Sequence, residues 1–183
     1  ILLAISSLPS NYGIGTFGEE AYRFIDFLKN TNQTYWQILP LCPIGKGNSP
    51  YCSMGSFAGE ILYIDIDLLI NDGLLLPDDI PKTSFGKNTD YNLVRKFKLP
   101  LLKKAAENFN TENFDFINFK RNNPWLKDYA LFMAIKDHSG GLPFYLWEDG
   151  LKYRLPEAMQ NFADMHPEEI LFYEITQYFF YCQ

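Results

Sequence analysis

Residues 34–60 read TYWQILPLCPIGKGNSPYCSMGSFAGE, and the change of character inside this stretch sets the expected fold. Thr34 to Leu39 carry the β-branched, aromatic and aliphatic side chains of an extended strand. From Pro40 to Glu60 glycine, serine and proline take over and no apolar periodicity survives. Loops of this length without structure are uncommon in compact domains and tend to carry function. A loop that leaves the carboxyl end of a parallel strand stands where α/β folds place their sites.

Upstream, Ile1 to Ile5 are all apolar, and a Ser6-Ser7-Leu8-Pro9-Ser10 turn cluster bounds them, so they read as a buried strand. Gly13 and Gly15 permit tight turns in the loop that follows. Thr16 and Glu19 have the spacing of a capping box at a helix start. Ala21, Phe24, Ile25 and Leu28 recur at helical spacing. Strand, helix and strand with short connections predict a βαβ unit, with parallel pairing and a right-handed crossover.

Downstream the pattern turns helical. Ile61 to Ile66 is a short extended candidate, and Asp67 is placed to cap a brief helix that stops at Gly73. Asn92 to Phe109 is periodic, with Pro100 expected to kink or divide it. Asn123-Pro124 opens a helix running to about His138, and a last helix begins near Pro167. That segment, ILFYEITQYFFYCQ at 170–183, is apolar on almost every side, as in helices inside large proteins. The expectation is an exposed hydrophobic side over 170–182, covered by a continuation of the chain.

Net charge is −6, with 22 acidic against 16 scattered basic residues, which leaves out the electrostatic footprint of a nucleic-acid partner. Cys42, Cys52 and Cys182 lack paired spacing and read as reduced thiols of a cytoplasmic protein. His138 and His166 stand apart in sequence, without metal-site spacing, and no cofactor motif is present. No apolar run approaches the roughly 18–20 residues that cross a membrane, and no signal peptide opens the chain. Aromatic residues make up 17%, which fits either sugar stacking or a phenylalanine-filled core.

Five segments in order resemble the amylomaltase (disproportionating enzyme) family of 4-α-glucanotransferases. They are SSLPSNYGIG (6–15), GEEAYRFIDFL (18–28), YWQILPL (35–41), the Ser49-Pro50-Tyr51 loop with its Phe57-Ala58-Gly59 turn, and FKLPLL (97–102) with WLKDYALFMAIK (125–136). The resemblance implies the amino-terminal part of a (β/α)8 TIM barrel with a mostly helical insertion. On that map residues 1–61 hold the first βαβ portion of the barrel with the substrate loop 40–60. Residues 62–165 are the inserted helical subdomain, and 166–183 are a helix returning to the barrel.

The resemblance also implies the chemistry. Such enzymes transfer α-1,4-glucan segments between maltooligosaccharides, starch or glycogen by a retaining double displacement that uses no cofactor. An Asp nucleophile and a Glu acid/base stand roughly 5–5.5 Å apart. In the family these lie on later barrel strands, and none is carried here; Asp65, Asp67, Glu148 and Asp149 match no catalytic motif. Tyr51 is expected to stack beneath the sugar ring, against the alternative of a tyrosine packed on the barrel rim. Ser49 either bonds a sugar hydroxyl or shapes the turn, and Trp36 is expected in the core. Asn48 for the family's Asp, Cys52 for Gln and Glu60-Ile61 for Asn-Pro depart from the pattern near the expected groove. Two other functions stay open, an α-glucan hydrolase with the same barrel and a non-catalytic carbohydrate-binding protein.

Overall fold

The computed structural model describes residues 1–183, the side chain of Lys46 excepted. Among the described residues the regular structure is helical: α1 (Glu19–Asn30), α2 (Ile66–Asn71), α3 (Tyr91–Glu107), α4 (Phe114–Asn122), α5 (Trp125–His138), α6 (Asp149–Lys152), α7 (Pro156–Met165) and α8 (Pro167–Cys182). Two compact units divide the chain, one made of 1–109 with 179–183 and the other of 110–178.

In the first unit the expected parallel pairing is present as a single rung. Gln37 donates its amide to the Ile1 carbonyl at 2.8 Å, and Leu3 donates to Gln37 at 3.0 Å, forming a parallel bridge between Leu2 and Gln37. The expected strands 1–5 and 34–39 do not extend beyond it, so the barrel itself is not seen. A parallel pair persists when both faces are covered and neighbouring strands continue it. Here Leu2 is 59% and Tyr35 81% exposed, and the backbone bends into a 3-10 turn at Ile5–Ser7. The core of this unit gathers Ile5, Leu8, Ile14, Ala21, Ile44, Leu62, Tyr63 and Val94.

Several local expectations are corrected by tertiary contacts. The box of Thr16 and Glu19 does not form: Gly18 occupies the cap position of α1, and Thr16 spends its hydroxyl on Asp65 Oδ2 at 2.5 Å. Ile25 is half exposed rather than part of a buried face, while Phe24 packs on Trp36 at 4.8 Å. Residues 61–66 are not extended but form a 3-10 turn at Ile61–Tyr63 and then enter α2. Asp65, not Asp67, caps that helix, accepting from the Leu68 amide at 3.0 Å; Asp67 instead accepts from the Tyr12 hydroxyl.

Helix α3 runs through Pro100 undivided. A proline inside a helix costs about 3 kcal/mol, and burial of Val94, Phe97, Leu101 and Leu102 offsets it at roughly 1.5–3 kcal/mol each. Asp90 caps the helix through the amides of Asn92 and Leu93.

The second unit packs Phe116, Leu126, Ala130, Ile135, Phe162 and Ile175 out of solvent. The break after α5 falls as expected, with Gly140 and Gly141 both at positive φ. The expected exposed side of α8 is reduced to Tyr181 and Cys182, because Tyr173, Ile175 and Phe179 are all buried. Within the second unit Tyr173 and Tyr178 meet Tyr129 and Phe116; within the first, Phe179 and Phe180 meet Phe109 and Phe17.

Candidate functional site: the loop 40–60

The loop after the bridge is fastened at its base by one buried side chain. Glu60 donates its amide to the Leu41 carbonyl at 2.8 Å, and its carboxylate accepts from Ile44 (Oε2, 2.7 Å) and from Leu62 (Oε1, 3.0 Å). Burial pushes this carboxyl above the usual range, opposed by those two amides and by the charges of Arg95 and Lys98. Lys98 of α3 is wholly buried and donates to the carbonyls of Leu62 at 2.6 Å and Ile64 at 2.5 Å. Its burial drives the ammonium down to about 7, with Asp65 and Glu60 acting in the opposite sense.

Above this base the chain folds back on itself. Gly45 donates to Ser49 at 3.3 Å, Asn48 to Gly45 at 3.1 Å and Cys52 to Ser49 at 3.2 Å. Gly47 and Asn48 take left-handed backbone angles, with φ of 71° and 56°. A β-carbon on Gly45 would stand 1.8 Å from the Cys52 carbonyl oxygen, so the return is too close for any side chain there. Arg95 of α3 donates to the Asn48 side chain at 3.0 Å. Near the exit, the Phe180 ring fills the space beside Gly59, and the Tyr181 hydroxyl donates to the Phe57 carbonyl.

Ser49 and Tyr51 come together at the tip. The Tyr51 amide donates to the Ser49 hydroxyl oxygen at 3.3 Å, and the Tyr51 ring is 73% exposed. Ser49 therefore shapes the turn with a lone pair and keeps its proton for another acceptor. Phe57 is also largely exposed on the same loop. Trp36 is half-buried and packs against the core, with its indole N–H on the Leu3 carbonyl at 2.8 Å.

Asp65, Asp67 and Asp149 are engaged in structure. Asp65 serves Thr16 and the α2 cap, and Asp149 pairs with Lys152 at 3.2 Å. A shallow depression of about 130 Å³ joins Tyr12, Thr16, Glu19, Glu20, Asp65 and Asp67, and neither Ser49 nor Tyr51 borders it. Among the described residues no group of three His, Cys, Asp or Glu is placed to hold a metal ion. His138 and His166, separate in sequence, meet with ring centroids 4.5 Å apart in the second unit, beside Phe162. No helix of the described residues is long and apolar enough to cross a membrane.

Glu60, Arg95 and Lys98 hold the loop, and pattern reading assigned them no role there. For Glu60 and Lys98 the signal in the sequence is a charge beside apolar residues, Glu60 before Ile61-Leu62 and Lys98 between Phe97 and Leu99.

The family described as 4-alpha-glucanotransferase matches residues 3–183. The 4-alpha-glucanotransferase of Streptococcus pneumoniae is 40% identical over 190 residues, covering 100% of this chain and 38% of that protein. That of Clostridium butyricum is 41% identical over 184 residues, covering 98% of this chain and 38% of its own length. Among solved structures, an amylomaltase from Streptococcus agalactiae in complex with acarbose superposes with a TM-score of 0.95 at 41% identity, covering 100% of this chain and 38% of that one. The chain thus spans well under half the length of the relatives it matches.

Proposed function

Because this chain belongs to the 4-alpha-glucanotransferase family, we propose that the polypeptide carrying it transfers α-1,4-glucan segments between maltooligosaccharides, starch or glycogen in the cytoplasm. The observation that supports this reading most directly is the loop 40–60. It follows the parallel Leu2–Gln37 bridge and offers an exposed tyrosine on a turn that the Ser49 hydroxyl helps to shape. In this reading residues 1–61 supply the first part of a (β/α)8 barrel, 62–165 an inserted helical subdomain and 166–183 the helix returning to the barrel.

Transfer with retention needs a nucleophilic carboxylate, an acid/base carboxyl and a site that favours a sugar hydroxyl over water. This chain supplies the sugar-binding side of that task. Tyr51 presents an electron-rich face, which both stacks on a pyranose ring and favours the positive charge of an oxocarbenium-like transition state. Ser49, its oxygen holding the Tyr51 amide, donates its proton to a sugar hydroxyl. The acarbose complex of the Streptococcus agalactiae amylomaltase supports a glucan-like ligand.

The test is product analysis on the intact polypeptide incubated with maltotriose, without added metal or cofactor. Transfer yields glucose together with chains longer than maltotriose. Glucose without longer chains indicates a hydrolase, and retention of unreacted maltotriose on the protein indicates a non-catalytic binder.

A further inference from the structure

The Ser49–Tyr51 turn has little structure of its own to stand on. Between Leu41 and Glu60 the backbone makes a few turn bonds, and among the described residues no strand or α-helix lies in that span. The two ends of the loop are joined instead by a side chain. One carboxylate reaches back sixteen residues to the Ile44 amide and forward two residues to the Leu62 amide. Its own amide closes a third bond to Leu41.

A carboxylate suits this place because both of its oxygens accept. A glutamine in the same position presents one acceptor and one N–H₂ group, and the latter faces a backbone N–H that needs an acceptor. The clamp is supported from α3. Arg95 holds Asn48, the residue before Ser49, and Lys98 holds the Leu62 and Ile64 carbonyls just beyond the clamp. The residue preceding the turn and the segment just past the loop exit are thus held by one helix, and Glu60 joins the loop entry to that exit.

We infer that Glu60 is a positioning residue: its buried carboxylate sets where the Ser49–Tyr51 turn stands, and thereby where the tyrosine ring meets the sugar. The inference rests on the proposed transferase reading for its kinetic half and on the hydrogen-bond geometry alone for its structural half. Misplacing a group by about 1 Å can cost on the order of a hundredfold in rate, so the clamp acts on catalysis without touching substrate.

Two measurements on Glu60→Gln and Glu60→Ala test it. In the full chain, amide hydrogen exchange at Ile44 and Leu62 is compared with the unsubstituted protein. Glu60→Gln should expose one of the two amides, and Glu60→Ala both. In the intact polypeptide, kcat on maltotriose should fall roughly ten- to a hundredfold in Glu60→Ala, with KM changed far less and with a smaller kcat loss in Glu60→Gln. A lower melting temperature with unchanged kcat in the folded fraction overturns the positioning role. If Glu60→Ala does not fold, the isosteric Glu60→Gln decides by the same criteria. If the unsubstituted polypeptide transfers nothing, the transferase reading fails by itself, and exchange still judges the clamp: full protection of Ile44 and Leu62 in the glutamine variant overturns it.

Discussion

Tyr51 and Lys98 show how differently two side chains of one unit are used. Tyr51 is 73% exposed and its hydroxyl carries no bond within the described contacts of the loop tip, so its ring contributes little to folding. Tyr51→Ala should therefore leave the melting temperature nearly unchanged. A cation–π contribution of about 2 kcal/mol in a desolvated site corresponds to a loss of about thirtyfold in kcat and kcat/KM together. Tyr51→Phe keeps the ring and should lose far less. Steady-state kinetics and thermal melts on the same two variants check this, and an unchanged kcat in the alanine variant removes Tyr51 from the site. Lys98 is the opposite case, wholly buried and titrating at about 7 because burial disfavours its charge. The unfolded chain holds that proton up to about 10.4. Between these values unfolding takes up a proton, so stability rises with pH. Relative to Lys98→Met, which cannot titrate, the unsubstituted protein should gain roughly 2.5–3 kcal/mol between about pH 6 and about pH 9. Denaturant midpoints at several pH values measure it; a difference independent of pH would mean that the ammonium keeps its charge when folded.

At the scale of elements, the loop 40–60 and helix α3 form the working pair. The loop returns on itself so closely at Gly45 that a methyl group would meet the Cys52 carbonyl at 1.8 Å. A backbone atom yields far less readily than a flexible side chain. Gly45→Ala should therefore displace the Ser49–Tyr51 turn and lower kcat on maltotriose by roughly tenfold or more. Among the described residues no α-helix lies within 41–60, so far-ultraviolet circular dichroism should be preserved. Gly47→Ala makes an informative companion: its added carbon meets open space, and strain arises only from the positive φ of 71°. That variant should be milder, since a left-handed residue costs roughly 1–2 kcal/mol for an L side chain.

At the scale of the whole molecule, the decisive fact is length. The chain spans 38% of its Streptococcus pneumoniae and Clostridium butyricum relatives. Asp65, Asp67 and Asp149 each have a structural partner. The 183-residue chain by itself should give no glucose and no longer chains from maltotriose, whereas a polypeptide as long as the relatives should give both. Chromatography of the two reactions side by side checks it, and transfer by the isolated chain would place catalytic carboxylates within these residues.

Sequence by itself determined the family, the helices α1, α3, α5 and α8 and the loop that carries Tyr51, while α4, α6 and α7 carried no signal that was read. These are properties of local order: α5 after Asn123-Pro124, α8 from Pro167 and the five matched segments all depend on neighbours in sequence. Tertiary structure decided what became of side chains with more than one partner within reach. Thr16 left its capping box for Asp65, forty-nine residues away, and Asp65 took the helix cap that Asp67 was placed to hold. Glu60 and Lys98 became the buried fastening of the loop through Ile44, Leu62 and Ile64. A polar group removed from water must find a partner or carry a penalty of a few kcal/mol, and which partners lie within 3 Å is set by packing of distant segments. The same reason reduced the 1–5 and 34–39 strands to one rung. Strand pairing is a non-local bond, and a parallel pair extends only as far as neighbouring strands and covered faces support it.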